Sequence, residues 1–182
     1  SVWEDDRSGI NDVYFDRTLS ATPTWPAGEV MLSTMAGGHT GSCQPVVAAS
    51  GTDVWVAWFE SAGPISKYIY LNRSADNGQS WLPTPISLDN LASQGAVCPV
   101  ISASGSNVYV AWAAPVNPGI VSDIRVNRST DGGATWLANE IPLTGGVLAL
   151  YHDIASSGSN VYAVWTQGTP GGGSEIRFRS ST

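Results

Sequence analysis

Three stretches of this chain repeat one plan, and that repetition restricts the fold more than any other feature. Pro45–Trp58 reads Pro-Val-Val-Ala-Ala-Ser-Gly-Thr-Asp-Val-Trp-Val-Ala-Trp, and Pro99–Trp112 reads Pro-Val-Ile-Ser-Ala-Ser-Gly-Ser-Asn-Val-Tyr-Val-Ala-Trp. Asp153–Trp165 follows with Asp-Ile-Ala-Ser-Ser-Gly-Ser-Asn-Val-Tyr-Ala-Val-Trp, and the turn glycines 51, 105 and 158 lie 54 and 53 residues apart. Each stretch predicts a hairpin: a short apolar strand, a Ser-Gly-Thr-Asp or Ser-Gly-Ser-Asn turn, and a Val/aromatic strand ending in Trp. Both strands are nearly continuous apolar runs, which predicts burial on both faces.

A second half-repeat follows each hairpin. Ile69–Trp81 matches Ile124–Trp136 without a gap: a third strand, a turn rich in Asp, Asn and Gly, and a Trp that opens a fourth strand. The unit is four strands, A to D, of about 55 residues, and no stretch has a convincing helical period. The frame predicts repeats at 1–44, 45–98, 99–151 and 152–182, two complete and two partial, in a single all-β domain. The first copy is expected to lack strand A and most of B, and the last to stop in the turn after strand C. Such ends would leave sheet edges unpaired, so the chain is expected either to close imperfectly as four units or to pair with a second copy as a homo-oligomer.

Composition agrees with strands and tight turns. Charged residues are 13% of the chain, against about 25% in an ordinary domain. Net charge is −7 with eight basic residues and no cluster of them, which argues against a nucleic-acid partner. No apolar run approaches the roughly 18 residues of a membrane span. Cys43 and Cys98 leave two options open, one bridge or two small buried residues.

Ser74-Ala75-Asp76-Asn77-Gly78-Gln79-Ser80-Trp81 and Ser129-Thr130-Asp131-Gly132-Gly133-Ala134-Thr135-Trp136 share the pattern Ser-x-Asp-x-Gly-x-x-Trp. The pattern resembles the Asp box of sialidase-type (BNR-repeat) β-propellers, and with the hairpins the resemblance covers essentially the whole chain. It implies a β-propeller of four-stranded antiparallel blades, as a non-sialidase member or a propeller fragment. Arg17–Trp25 keeps the Trp of the pattern but loses its Asp and Gly. Ser74, Asp76, Gly78 and Trp81, with Ser129, Asp131, Gly133 and Trp136, are assigned structural roles: the Asp accepts backbone N–H groups, the Gly permits unusual backbone angles, and the Trp buries area. One carboxylate per turn falls short of the six to eight oxygens that calcium needs. Asn72-Arg73-Ser74 and Asn127-Arg128-Ser129 match the N-glycosylation pattern, but the repeat already accounts for them.

The resemblance also implies that the B–C and D–A connections share a functional rim, opposite the box turns. Asp5, Asp6, Arg7, His39, Glu60, His152 and Asp153 fall there, and Asp5, Asp6, Arg7, Glu60, His152 and Asp153 are the expected ligand-binding set. Sialidase chemistry would need three arginines on one substrate carboxylate, but only Arg7 of the seven is suitably placed. A hydrolase would need two carboxylates about 5–10 Å apart, for which Asp5 or Asp6 with Glu60 are candidates. Their column holds Ala114 and Gln167 in the other copies, which favours solvated rim charges. No phosphate loop, nucleophile elbow or zinc spacing is present. The expectation is a non-catalytic module binding a glycan or protein ligand without a cofactor. A glycoside hydrolase and a purely architectural domain are the alternatives. The resemblance further implies a secreted or surface-bound bacterial setting.

Overall fold

The computed structural model describes residues 1–18, 28–33, 40–63, 66–89, 95–117 and 121–182. Among them the chain forms fourteen strands and no helix, arranged as four antiparallel sheets. Sheet 1 holds β1 (Val2–Asp5), β2 (Asp12–Phe15) and β3 (Val30–Met31). Sheet 2 holds β4 (Gly41–Ser50), β5 (Asp53–Ser61), β6 (Lys67–Ser74) and β7 (Ile86–Ser87). Sheet 3 repeats it with β8 (Val97–Ser104), β9 (Asn107–Asn117), β10 (Val121–Ser129) and β11 (Ile141–Pro142). Sheet 4 has β12 (Ala149–Ser157), β13 (Asn160–Gly168) and β14 (Ser174–Ser181). Within each sheet the strands lie in sequence order, the layout of propeller blades. Sheet 1 has no counterpart of β4, and sheet 4 none of β7, among the described residues.

The innermost strands begin earlier than the sequence suggests. Gln44, Cys98 and His152, each just before the repeated hairpin stretches that open at Pro45, Pro99 and Asp153, lie inside β4, β8 and β12. In each strand pairing continues past a break in register, so the ladder reaches further toward the rim than the apolar pattern does.

Each sheet packs on its sequence neighbours: the principal contacts join sheet 1 to 2, 2 to 3 and 3 to 4, and no substantial contact joins 4 to 1 among the described residues. The arc is open, which removes the expectation of a four-unit closure. Every internal interface has the same construction. One face of a sheet offers a shallow apolar bed, and a Trp from the second strand of the following sheet presses into it. Trp58 enters the bed of Val13, Phe15 and Leu32. Trp112 enters that of Ala57, Phe59, Ile69 and Leu71, and Trp165 that of Ala111, Ala113, Ile124 and Val126. All three indoles are buried. Polar stitches recur between the turns: Gly105 N–H donates to Ser50 Oγ at 3.0 Å and Gly158 N–H to Ser104 Oγ at 2.8 Å.

The two Ser-x-Asp-x-Gly-x-x-Trp turns share one bonding pattern. Asp76 Oδ1 accepts from Ser74 Oγ at 2.6 Å and from the N–H groups of Gln79 and Ser80 at 2.9 and 2.8 Å, while Oδ2 accepts from Ser80 Oγ at 2.6 Å. Asp131 does the same with Ser129 and Thr135. Each turn is gripped by the preceding sheet: Arg17 and Arg73 donate to the carbonyls of Asn77 and Gly132, both at 2.9 Å. These two arginines are structural clamps on the rim opposite the one expected to be functional.

The side-chain bond from Ser74 or Ser129, then that from Ser80 or Thr135, holds both turn carboxyls well below the usual Asp value of about 3.9. A folded value below the unfolded one stabilises the fold above the unfolded value, and that stabilisation drains as pH falls through and below about 3.9. Urea midpoints measured from pH 7 to pH 3 are expected to fall. The doubly substituted Asp76→Asn, Asp131→Asn chain should show a shallower decline; an unchanged slope would assign the pH dependence elsewhere.

Candidate functional site

At the rim where β4, β8 and β12 begin, each strand carries one residue in the left-handed region that is not glycine. Gln44 has φ 54°, Cys98 has φ 56° and Tyr151 has φ 46°. They stand 54 and 53 residues apart, the spacing of the turn glycines, and each falls within the register break of its strand. This conformation costs an ordinary side chain about 1–2 kcal/mol. Strain of this kind persists only where the surrounding structure imposes it, and it clusters at functional sites.

The three residues form a continuous arc. Glu4 Oε2 in β1 accepts the Gln44 N–H at 3.4 Å, and Gln44 Oε1 accepts the Cys98 N–H at 3.1 Å. Between sheets 3 and 4 the arc opens into a groove of about 480 Å³ lined by Gln44, Val97, Cys98, Leu150, Tyr151 and His152. Apolar walls with a few convergent polar groups are the usual make-up of a ligand site. Tyr151 stands at 86% exposure, and Leu150 is exposed beside it. His152 is half-buried with its Nε2 enclosed and unpartnered. Burial lowers its pKa, against smaller opposing effects of the Cys98 and Ala111 backbone and of Asp153, so the imidazole is neutral at pH 7. Cys43 and Cys98 are both free thiols. Burial pushes the Cys43 thiol up, while Cys98 is exposed in the groove.

The structure divides the expected binding set. His152 alone lines the groove; Asp153 is the next residue, exposed, with Oδ1 accepting the Ile154 N–H at 2.8 Å. Asp5, Arg7 and Glu29 form an exposed ion-paired cluster on sheet 1, with the Arg7 guanidinium 4.7 Å over the Tyr14 ring. The Arg7 bonds bring the Asp5 carboxyl down to about 2. Asp6 is exposed, its carbonyl closing a turn with Gly9. His39 lies outside the described residues.

Glu60 is the clearest correction. Expected on the rim, in the ligand-binding set or as a solvated charge, it is 2% exposed within β5. Its Oε2 accepts from Ser42 Oγ and Trp58 Nε1, both at 3.4 Å. The same indole bond recurs two residues after the strand Trp elsewhere: Trp165 donates to Gln167 at 3.3 Å, and Trp3 to Asp5. In sheet 3 that position is Ala114, and the buried Trp112 Nε1 has no partner. The column holding Asp5, Glu60, Ala114 and Gln167 is a series of indole-acceptor positions. Asp5 and Glu60 are each hydrogen-bonded within their own sheet, Asp5 to Arg7 and Glu60 to Ser42 and Trp58.

Sequence reasoning missed Glu4, Gln44, Cys98 and Tyr151. The 54- and 53-residue spacing was available as a signal, but no local motif announces a left-handed Gln, Cys or Tyr.

The sequence matches no protein-family model and no curated protein. Solved structures are similar to it in shape. A Penicillium chrysogenum α-L-arabinanase, solved with arabinobiose, superposes with a TM-score of 0.57 at 11% identity over 92% of this chain and 52% of its own. A Trypanosoma rangeli sialidase, solved with the inhibitor DANA, gives 0.55 at 12% over 77% of this chain and 28% of its own. A thermostable family-43 glycoside hydrolase gives 0.55 at 13% over 97% and 65%. This chain thus spans about half the length of the arabinanase. At such identities the likeness is one of architecture. The fold of this chain is that of the sialidase- and arabinanase-type β-propellers.

Proposed function

We propose that this chain is a non-catalytic carbohydrate-binding module whose ligand lies along the arc of bulge residues, with Tyr151 as its stacking platform. The observation that carries this reading is the 86% exposed Tyr151 ring, held in a left-handed conformation at the edge of an apolar groove. A rigid aromatic side chain offers much contact area at small entropic cost, and its face suits the C–H face of a sugar ring. Neutral His152, Gln44 and the Cys98 thiol supply donors and acceptors beside it. An extracellular or cell-surface setting accords with such a ligand and with the acidic, lysine-poor composition.

Arabinose-containing and sialylated glycans are the first ligands to try, given what the structural neighbours were solved with. On a glycan array the folded chain is expected to bind reproducibly, and Tyr151→Ala to weaken binding at least ten-fold. An array left blank by the folded chain overturns the proposal. The neighbours' names favour a glycoside hydrolase as the second reading. Release of reducing sugar from a bound glycan would support it over simple binding.

A further inference from the structure

The face of sheet 4 that points away from sheet 3 is an apolar bed like those covered elsewhere in the molecule. Val164 pairs with Phe178 and Thr166 with Ile176, in the register places of Ala57–Leu71 and Phe59–Ile69 in sheet 2 and of Ala111–Val126 and Ala113–Ile124 in sheet 3. Those earlier beds are buried, whereas Phe178 is 63% and Ile176 75% exposed, with Tyr162 and Val164 exposed beside them. Patches of this kind on a soluble surface mark interaction sites.

The repeat identifies what covers such a bed. In each of the three internal interfaces the occupant is the second-strand Trp of the following sheet: Trp58, Trp112 or Trp165. Among the described residues, sheet 1 carries that Trp with no bed seated against it. Trp3 in β1 pairs with Tyr14 as Trp58 pairs with Tyr70. The ring stacks match too, at 6.1 Å and 19° against 6.3 Å and 27°. Trp3 is half-buried, whereas Trp58 is wholly enclosed.

We propose that the Trp3 face of one copy seats on the Tyr162–Val164–Ile176–Phe178 face of a second copy, and that two chains joined head to tail at both junctions close a ring of eight sheets. A head-to-tail contact between identical chains must either close or propagate. Eight sheets lies within the usual propeller range of about 4–8 blades.

Sedimentation velocity or light scattering at micromolar concentration is expected to give the mass of two chains. Ile176→Asp, at an exposed position, should leave the circular dichroism unchanged and weaken association at least 100-fold. Trp3→Ala should do the same from the other side. Mixing the two variants supplies the decisive arm. The intact sheet 4 face of the Trp3→Ala chain meets the intact Trp3 of the Ile176→Asp chain, so the mixture is expected to associate more strongly than either variant alone. A single-chain mass for the unaltered protein overturns the proposal. So does a dimer indifferent to both substitutions, a mixture no better than its components, or open polymers growing with concentration.

Discussion

Gly78→Ala is expected to destabilise the chain by about 3 kcal/mol or more. Gly78 has φ 80°, and a Cβ built there would lie 2.6 Å from Phe15 Cε1 and 2.7 Å from Cζ. The left-handed conformation costs an alanine about 1–2 kcal/mol, and overpacking a tight contact adds about 1–3 kcal/mol. Phe15 has little room to yield, because it is buried in the interface between sheets 1 and 2 and meets Trp81 edge-on at 4.8 Å. Gly133→Ala should be milder, since its Cβ would meet Trp55 Nε1 at 3.0 Å. Gly51→Ala is the internal control: φ is 62° with nothing within 4 Å, so only the backbone cost of about 1–2 kcal/mol remains. Urea midpoints of the three variants should fall in the order 51, 133, 78, and equal midpoints would show that the inter-sheet contact does not decide the matter.

Glu60→Ala is expected to cost about 3 kcal/mol, because it strands the buried Trp58 Nε1 and Ser42 Oγ donors and leaves a cavity beside them. Glu60→Gln retains an acceptor and should stay within about 1 kcal/mol of the unaltered chain. The pair separates two roles for one carboxylate. A catalytic Glu60 would lose turnover in both variants with little change in melting. A structural one loses stability in the alanine variant and keeps binding in the glutamine variant. Thermal melts and glycan binding on the same two proteins decide it.

Much of the architecture was legible because each strand and turn occurs several times in the chain. One hairpin of apolar residues around Ser-Gly-Thr-Asp is ambiguous, but three with common spacing require a shared environment. The site was less legible, for two physical reasons. Glu60 looked like a rim charge because it follows the last apolar residues of β5, yet pairing continues through Ser61, and Ser42 and Trp58 close over the carboxylate. Its role is visible only in comparison with Gln167 and with the unpartnered indole above Ala114. Gln44, Cys98 and Tyr151 share no chemistry at all. What they share is a backbone conformation imposed by a register break between two strands, and register is settled by the whole sheet rather than by the residue that bears the strain.

Because each sheet takes its neighbours' measure and no one else's, the molecule behaves as a linear chain of couplings. The stability of such an array is a sum of per-unit and nearest-neighbour terms. A duplication or deletion of one unit therefore respects every surviving interface: the next Trp finds a bed of familiar shape, and the next turn serine a familiar glycine. What changes is the angle swept and the number of bulge residues along the rim, so the breadth of the rim can be altered in evolution one unit at a time without redesigning the core that supports it.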